Sequence, residues 1–235
     1  MFVQFLVEDI SGGKFLQAFI EHYNEEMPEF QVEYDIKPYR GIGNVPKGEN
    51  AKNNKSAQLL SDLPKRLKAF NAILNDQPGS CVFIVLDNDT RNTEEFYCQL
   101  NQIAEEAQIV IDCYFCIAVE EMESWLLGDR EAILSAFPDT AARISTKLLN
   151  YQQDSICGTW EILAEITTKG GMNAFRKKNP TSRDIGWRKS EWAEKIGKHL
   201  NIRRNVSPSF QRMVHALDAR REECFAAAEN ASREI

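Results

Sequence analysis

"SCVFIVLDNDT", residues 80–90, decides the fold. Its apolar run up to Leu86 is unbroken, as expected of a strand buried on both faces of a parallel sheet. It then meets two aspartates, Asp87 and Asp89, one residue apart. That ending has three readings: a metal-binding Asp-x-Asp, the nucleophile motif of a phosphatase, or a polar turn after a strand.

Working outward, "FVQFLVE" (2–8) reads as the first strand, and the helical spacing of Phe15, Leu16, Phe19, Ile20 and Tyr23 follows, with Ser11 as a candidate cap. "FQVEYDI" (30–36) reads as the second strand, and "KPYRGIGNVPKGENAKNN" (37–54) as a loop. A helix is expected over 56–75, kinked or split at Pro64. After the strand at 80–86 come a helix over 93–107, a fourth strand "IVIDCYFCIAV" (109–119) and a helix over 121–137. Alternation of this kind predicts an α/β fold with a mainly parallel four-stranded sheet and helices on both faces. Beyond about residue 140 only helices are expected, at 140–151, 156–168, 188–200 and 208–231. The division expected is 1–140 for the α/β domain and 141–235 for a basic helical extension packed on it.

The chain has 235 residues, 43% of them hydrophobic and 27% charged, enough to fill a core and too apolar for general disorder. No apolar run approaches the ~18–20 residues of a membrane span. "MFVQFLVE" reads as a strand rather than a signal peptide. Six cysteines are scattered, with one Cys-x-x-Cys at Cys113 and Cys116. A structural zinc site would need a second pair, so the expectation is reduced, buried thiols and a cytoplasmic protein.

The net charge of −7 is uneven. Residues 1–145 hold 12 basic and 24 acidic side chains, whereas 169–204 hold 11 basic and 3 acidic. In "FRKKNPTSRDIGWRKSEW" (175–192) the cations alternate with Phe175, Trp187 and Trp192. That suits a groove for phosphates and stacked bases, and equally an amphipathic helix with apolar anchors or a partner-binding surface. The candidate phosphate contacts are Lys47, Arg176, Lys177, Lys178, Arg188, Lys189, Arg203 and Arg204. Lys47 belongs to "RGIGNVPKG" (40–48), which reads as a backbone nest or as a structural turn.

Acids end three of the expected strands: Glu8, then Asp87 and Asp89, then Glu120, Glu121 and Glu123. Ligands of open parallel sheets collect at this edge. Carboxylate oxygens so gathered suit Mg²⁺ or Mn²⁺, ions that promote displacement at phosphorus. The phosphatase reading fares worse. Haloacid-dehalogenase-type enzymes place Thr or Val two residues past the second Asp, which here is Arg91, and their motif falls on the first strand.

A Glu at the end of strand one with a later Asp-x-Asp resembles the Toprim domains of primases, topoisomerases and overcoming-lysogenization-defect nucleases. "VEDISGGKFLQAFI" (7–20), "YRGIGNVPK" (39–47), "VLDNDT" (85–90), "IAVEEMESWLLGD" (117–129) and "NVSPSF" (205–210) together resemble a bacterial Toprim-like family of unknown function. Its members are often encoded beside AAA- or ABC-type ATPases in defence or mobile-element settings. The resemblance implies a Mg²⁺-dependent nuclease acting on DNA or RNA, or a non-catalytic adaptor of an ATPase complex. It implies metal ligands at Glu8, Asp87, Asp89, Glu121 and Glu123. Catalytic roles would fall to Glu8, Asp87, Asp89, Glu123 and Lys189. Many Toprim nucleases carry another acid four residues after the glutamate. That place is Gly12 here, so the resemblance implies one metal, or a second held by Glu121 and Glu123.

Overall fold

The computed structural model describes residues 1–41, 43 and 59–233. Strands β1 (Phe2–Val7), β2 (Glu33–Pro38), β3 (Cys81–Asp87) and β4 (Asp112–Ala118) alternate with helices α1 (Ile10–Glu26), α2 (Leu59–Leu74) and α3 (Thr93–Ala107). The strands form one all-parallel sheet in the order β2-β1-β3-β4. The chain steps from β1 to one side for β2 and returns to the other side for β3. The crevice beyond the carboxyl ends of β1 and β3 is therefore the switch point of the topology, where ligands of such sheets bind.

Side-chain alternation divides the sheet between two cores. Val3, Phe5, Val7, Cys81, Phe83 and Val85 face α1 and the C-terminal helices. Leu6, Val82, Ile84 and Leu86 face α2 and α3. Burial on both faces explains why the sequence around Phe83 is continuously apolar. Edge strand β2 is only half-buried and its sequence alternates accordingly.

After β4 the chain is helical: α4 (Glu123–Leu127), α5 (Arg130–Ala136), α6 (Ala141–Lys147), α7 (Thr159–Thr167), α8 (Gly171–Lys178), α9 (Ser182–Gly197) and α10 (Pro208–Arg233). Phe175, Trp192, Ile196, Phe210 and Leu217 from these helices share one core with Phe5, Phe15 and Phe83.

The structure departs from the sequence reading in several places. Helix α2 continues through Pro64. The expected helix over 121–137 is two helices. Asp129 breaks it by accepting the Ala132 N–H as the cap of α5, and its carboxylate is buried against Arg204. Helix α8 was not expected. Helix α9 starts six residues early because Thr181 and Asp184 form a capping box. Helix α1 is capped by Asp9, whose carboxylate accepts the Gly12 N–H. Ser11 lies inside that helix and donates its hydroxyl to Asp9.

Candidate active site

The parallel register sets the end of β1 beside the end of β3, and Glu8 accepts the Asp87 N–H at 3.2 Å. Asp87 continues the series Cys81, Phe83, Val85 and so belongs to the face covered by the C-terminal helices. Glu123 reaches the same region from the start of α4, where it is 4% exposed. Lys189 enters from α9, with its ammonium 3.0 Å from Glu121 and 3.4 Å from Glu123.

The electrostatics follow from this crowding. Burial, then the like charges of Glu8 and Glu123, hold the Asp87 carboxyl well above the usual carboxylate range, with Lys189 opposing. Glu121 is pushed up to about 7, mainly by burial, with Glu123 adding and Lys189 opposing. Burial alone would lower the Lys189 ammonium, but Glu123, Glu121 and Asp87 outweigh it and hold the lysine charged. Glu8, Asp87, Glu121, Glu123 and Lys189 thus form one coupled cluster. Among the described residues, no three His, Cys, Asp or Glu side chains stand close enough together to hold a metal ion as placed.

Asp89 is set apart from that cluster. In an extended segment Asp87 and Asp89, two residues apart, would face the same way, but Asp89 is left-handed, with φ of 50°. Its amide donates to the Glu120 carbonyl at 2.7 Å and its carboxylate pairs with Arg91 at 2.6 Å. Glu120 is structural: its carboxylate accepts the N–H groups of Cys157, Gly158 and Thr159 at the start of α7.

Gly12, noted in the sequence for lacking an acid, has no room for one. A Cβ there would lie 2.5 Å from Val7 Cγ2 and 2.7 Å from Met122 Cε. Close approach of α1 to these residues draws the Glu8, Asp9 and Glu121–Glu123 segments together. Asp9, which the sequence reading passed over, adds its charge to the field at Asp87. The one signal for it was its position as a helix-starting Asp.

The basic residues divide. Arg203 is held by Glu26 and Asp218, Arg204 by Asp129 and Glu131, and Arg188 by Glu191. Arg176, Lys177 and Lys178 are exposed in the last turn of α8, without an ion pair among the described residues. Lys47 lies outside the described residues. Of the three aromatics interleaved with these cations, Phe175 and Trp192 are buried and stacked on each other, and Trp187 is exposed.

Two of the quoted motifs prove to be partners. Trp125 donates its indole N–H to Ser209 at 2.8 Å and packs against Phe15 and Phe210. Asn205 donates to the Trp125 carbonyl at 2.7 Å. Ser207 accepts the Phe210 N–H at the start of α10, and Phe210 docks that helix in the core. All six cysteines are free, but they are not all buried as expected: Cys98 and Cys157 are exposed. Burial, above all other causes, raises the Cys81 and Cys113 thiols to about 12 each. No helix among the described residues is long and apolar enough to cross a membrane.

These features define a parallel α/β domain with a carboxylate–lysine cluster at its switch point. Residues 7–218 match a family described as a domain of unknown function, DUF4276, and the chain belongs to that family. No curated protein and no solved structure gives a match.

Proposed function

We propose that this protein is a Toprim-like, Mg²⁺- or Mn²⁺-dependent phosphodiesterase acting on nucleic acid. In this reading it is a cytoplasmic effector of an ATPase-coupled defence or mobile-element system. The observation that carries the proposal is the meeting of Glu8, Asp87 and Glu123 with Lys189 at the switch point of the sheet. Structural ion pairs also perturb acids, but a buried group of like charges in a crevice is costly without a functional return.

The donors fit a hard divalent cation, since all are carboxylate oxygens and Asp87 carries like-charge stress that a cation relieves. Glu8, Asp87 and Glu123 would hold it after drawing closer than they stand, with Glu121 beside them and Asp89 turned away to Arg91. Bound there, the ion supplies neutralisation of charge for in-line displacement at phosphorus. Lys189 lies between Glu121 and Glu123, and in this reading it would orient a phosphate oxygen. The proposal is tested by assaying purified protein for nuclease activity with Mg²⁺ or Mn²⁺, alone and with the neighbouring ATPase, beside Asp87→Ala. Activity that survives unchanged in the variant removes the site assignment.

One observation favours a second reading, a non-catalytic adaptor of an ATPase complex. Lys189 already neutralises Glu121 and Glu123, as an ion would. That reading expects co-purification with the ATPase and no heat of metal binding.

A further inference from the structure

A groove of about 540 Å³ opens beside the acidic cluster, where the start of α1, the end of β2 and the flank of α9 meet. Its size falls in the range of roughly 300–1,000 Å³ that accepts a ligand of nucleotide size. Arg183, Gly186, Trp187 and Ser190 line it from α9 at helical spacing, forming one stripe. Lys14 and Arg40 face them from the other walls. Two of its lining residues, Asp9 and Ser190, are chain neighbours of Glu8 and Lys189 in the cluster.

Three features of this groove ask for a ligand. Trp187 is 66% exposed, while Trp125 and Trp192 are fully buried. An indole left in water beside a concave wall forgoes burial worth having. Arg40 and Arg183 have no ion-pair partner among the described residues, and Lys14 has only the exposed Glu194. The one acid in the wall, Asp9, is already engaged by Ser11 and the Gly12 N–H. Gly186 sits inside a helix, where glycine is unfavourable, although a Cβ there would meet nothing within 4 Å. Its missing side chain leaves the floor next to Trp187 clear.

We infer that this groove binds single-stranded nucleic acid, with one unpaired base stacked on Trp187 over Gly186 and flanking phosphates on Lys14, Arg40 and Arg183. Exposed cations interleaved with an aromatic face are the recognition chemistry of single strands. A paired base cannot present its face to Trp187. The inference rests on the phosphodiesterase reading, for which it names the substrate: a single strand, held in a groove whose wall residues Asp9 and Ser190 adjoin Glu8 and Lys189 in the chain.

The test is titration of the full chain with a short single-stranded oligonucleotide in EDTA, read by tryptophan fluorescence and by anisotropy of a labelled strand. Without divalent ions it reports binding alone, so its outcome is independent of whether the cluster hydrolyses anything. The expected results are quenching in the wild type and an affinity lowered on the order of ten- to a hundredfold in Trp187→Ala. Gly186→Leu should unfold at no lower temperature than wild type and yet lose binding. Each of Arg40→Ala and Arg183→Ala should flatten the salt dependence by about 0.7 in log–log slope. Matched duplex and free adenosine monophosphate should bind far more weakly. No binding, unchanged affinity in Trp187→Ala and Gly186→Leu, or equal affinity for duplex or for the mononucleotide would overturn the inference.

Discussion

At Gly12 a single absent side chain organises the acidic edge. Val7 and Met122 stand where its Cβ would be, so Gly12→Ala must displace these side chains or the helix itself. Overpacking of this kind costs about 1–3 kcal/mol, and the thermal midpoint of the variant should fall accordingly. Lys189 makes the complementary case. It is the cation between Glu121 and the nearly buried Glu123, and removing one partner of such a pair leaves an uncompensated charge. Lys189→Met should lose roughly 3–5 kcal/mol in chemical denaturation. Added Mn²⁺ should restore part of that loss if the freed carboxylates accept the ion.

The acids also give the site a pH dependence of definite sign. Glu121 titrates near 7 in the folded protein and near ~4.3 when unfolded, so the folded state holds its proton more tightly. Its contribution to stability therefore falls as pH rises from about 4.3 and is fully unfavourable above about 7. Between about pH 5 and about pH 8, thermal melts of Glu121→Gln should gain on the wild type as pH rises. A metal must displace this proton and that of Asp87, so affinity for Mg²⁺ should weaken as pH falls through 7.

At the scale of elements, the turns after the strands matter as much as the strands. Glu120 has a positive φ of 64° and holds the N-terminus of α7 through three backbone N–H groups. Glu120→Ala orphans those donors. It should cost about 1–3 kcal/mol in denaturant unfolding while leaving metal affinity within error. The acidic triplet after β4 is thus divided by role: Glu120 builds, and Glu121 and Glu123 face the crevice. That division was beyond the sequence. The strands themselves were legible, because burial on both faces writes an unbroken apolar run such as Cys81–Leu86. The acids at the strand ends were legible too, because a parallel sheet brings its carboxyl ends to one edge. The positive φ at Asp89 was not, since it comes from bonds to Glu120 and Arg91 on the far side of a turn. Nor was the break of the 121–137 helix, which depends on Arg204 and Asn201 arriving from about seventy residues away.

At the scale of the molecule, the excess of cations between 169 and 204 does not form one uniform arm. Arg188, Lys189, Arg203 and Arg204 are spent on acids of the fold itself. The cations left for a partner include Lys169, those of α8 and those around Trp187, the last drawn from three separate segments of the chain. No local motif in the sequence could have joined Lys14, Arg40 and Arg183. What joins them is the packing of α1 against α9 beside the switch point, and that arrangement also carries Lys189 to the carboxylates.

The proposed activity requires that the carboxylates meeting at this point bind a divalent ion. Calorimetric titration with Mn²⁺ above neutral pH, on the wild type and Asp87→Ala, tests it most directly. A saturable isotherm is expected in the wild type and none in the variant, with the variant's thermal unfolding still cooperative. No heat of binding in the wild type, or the same isotherm in both proteins, would contradict it.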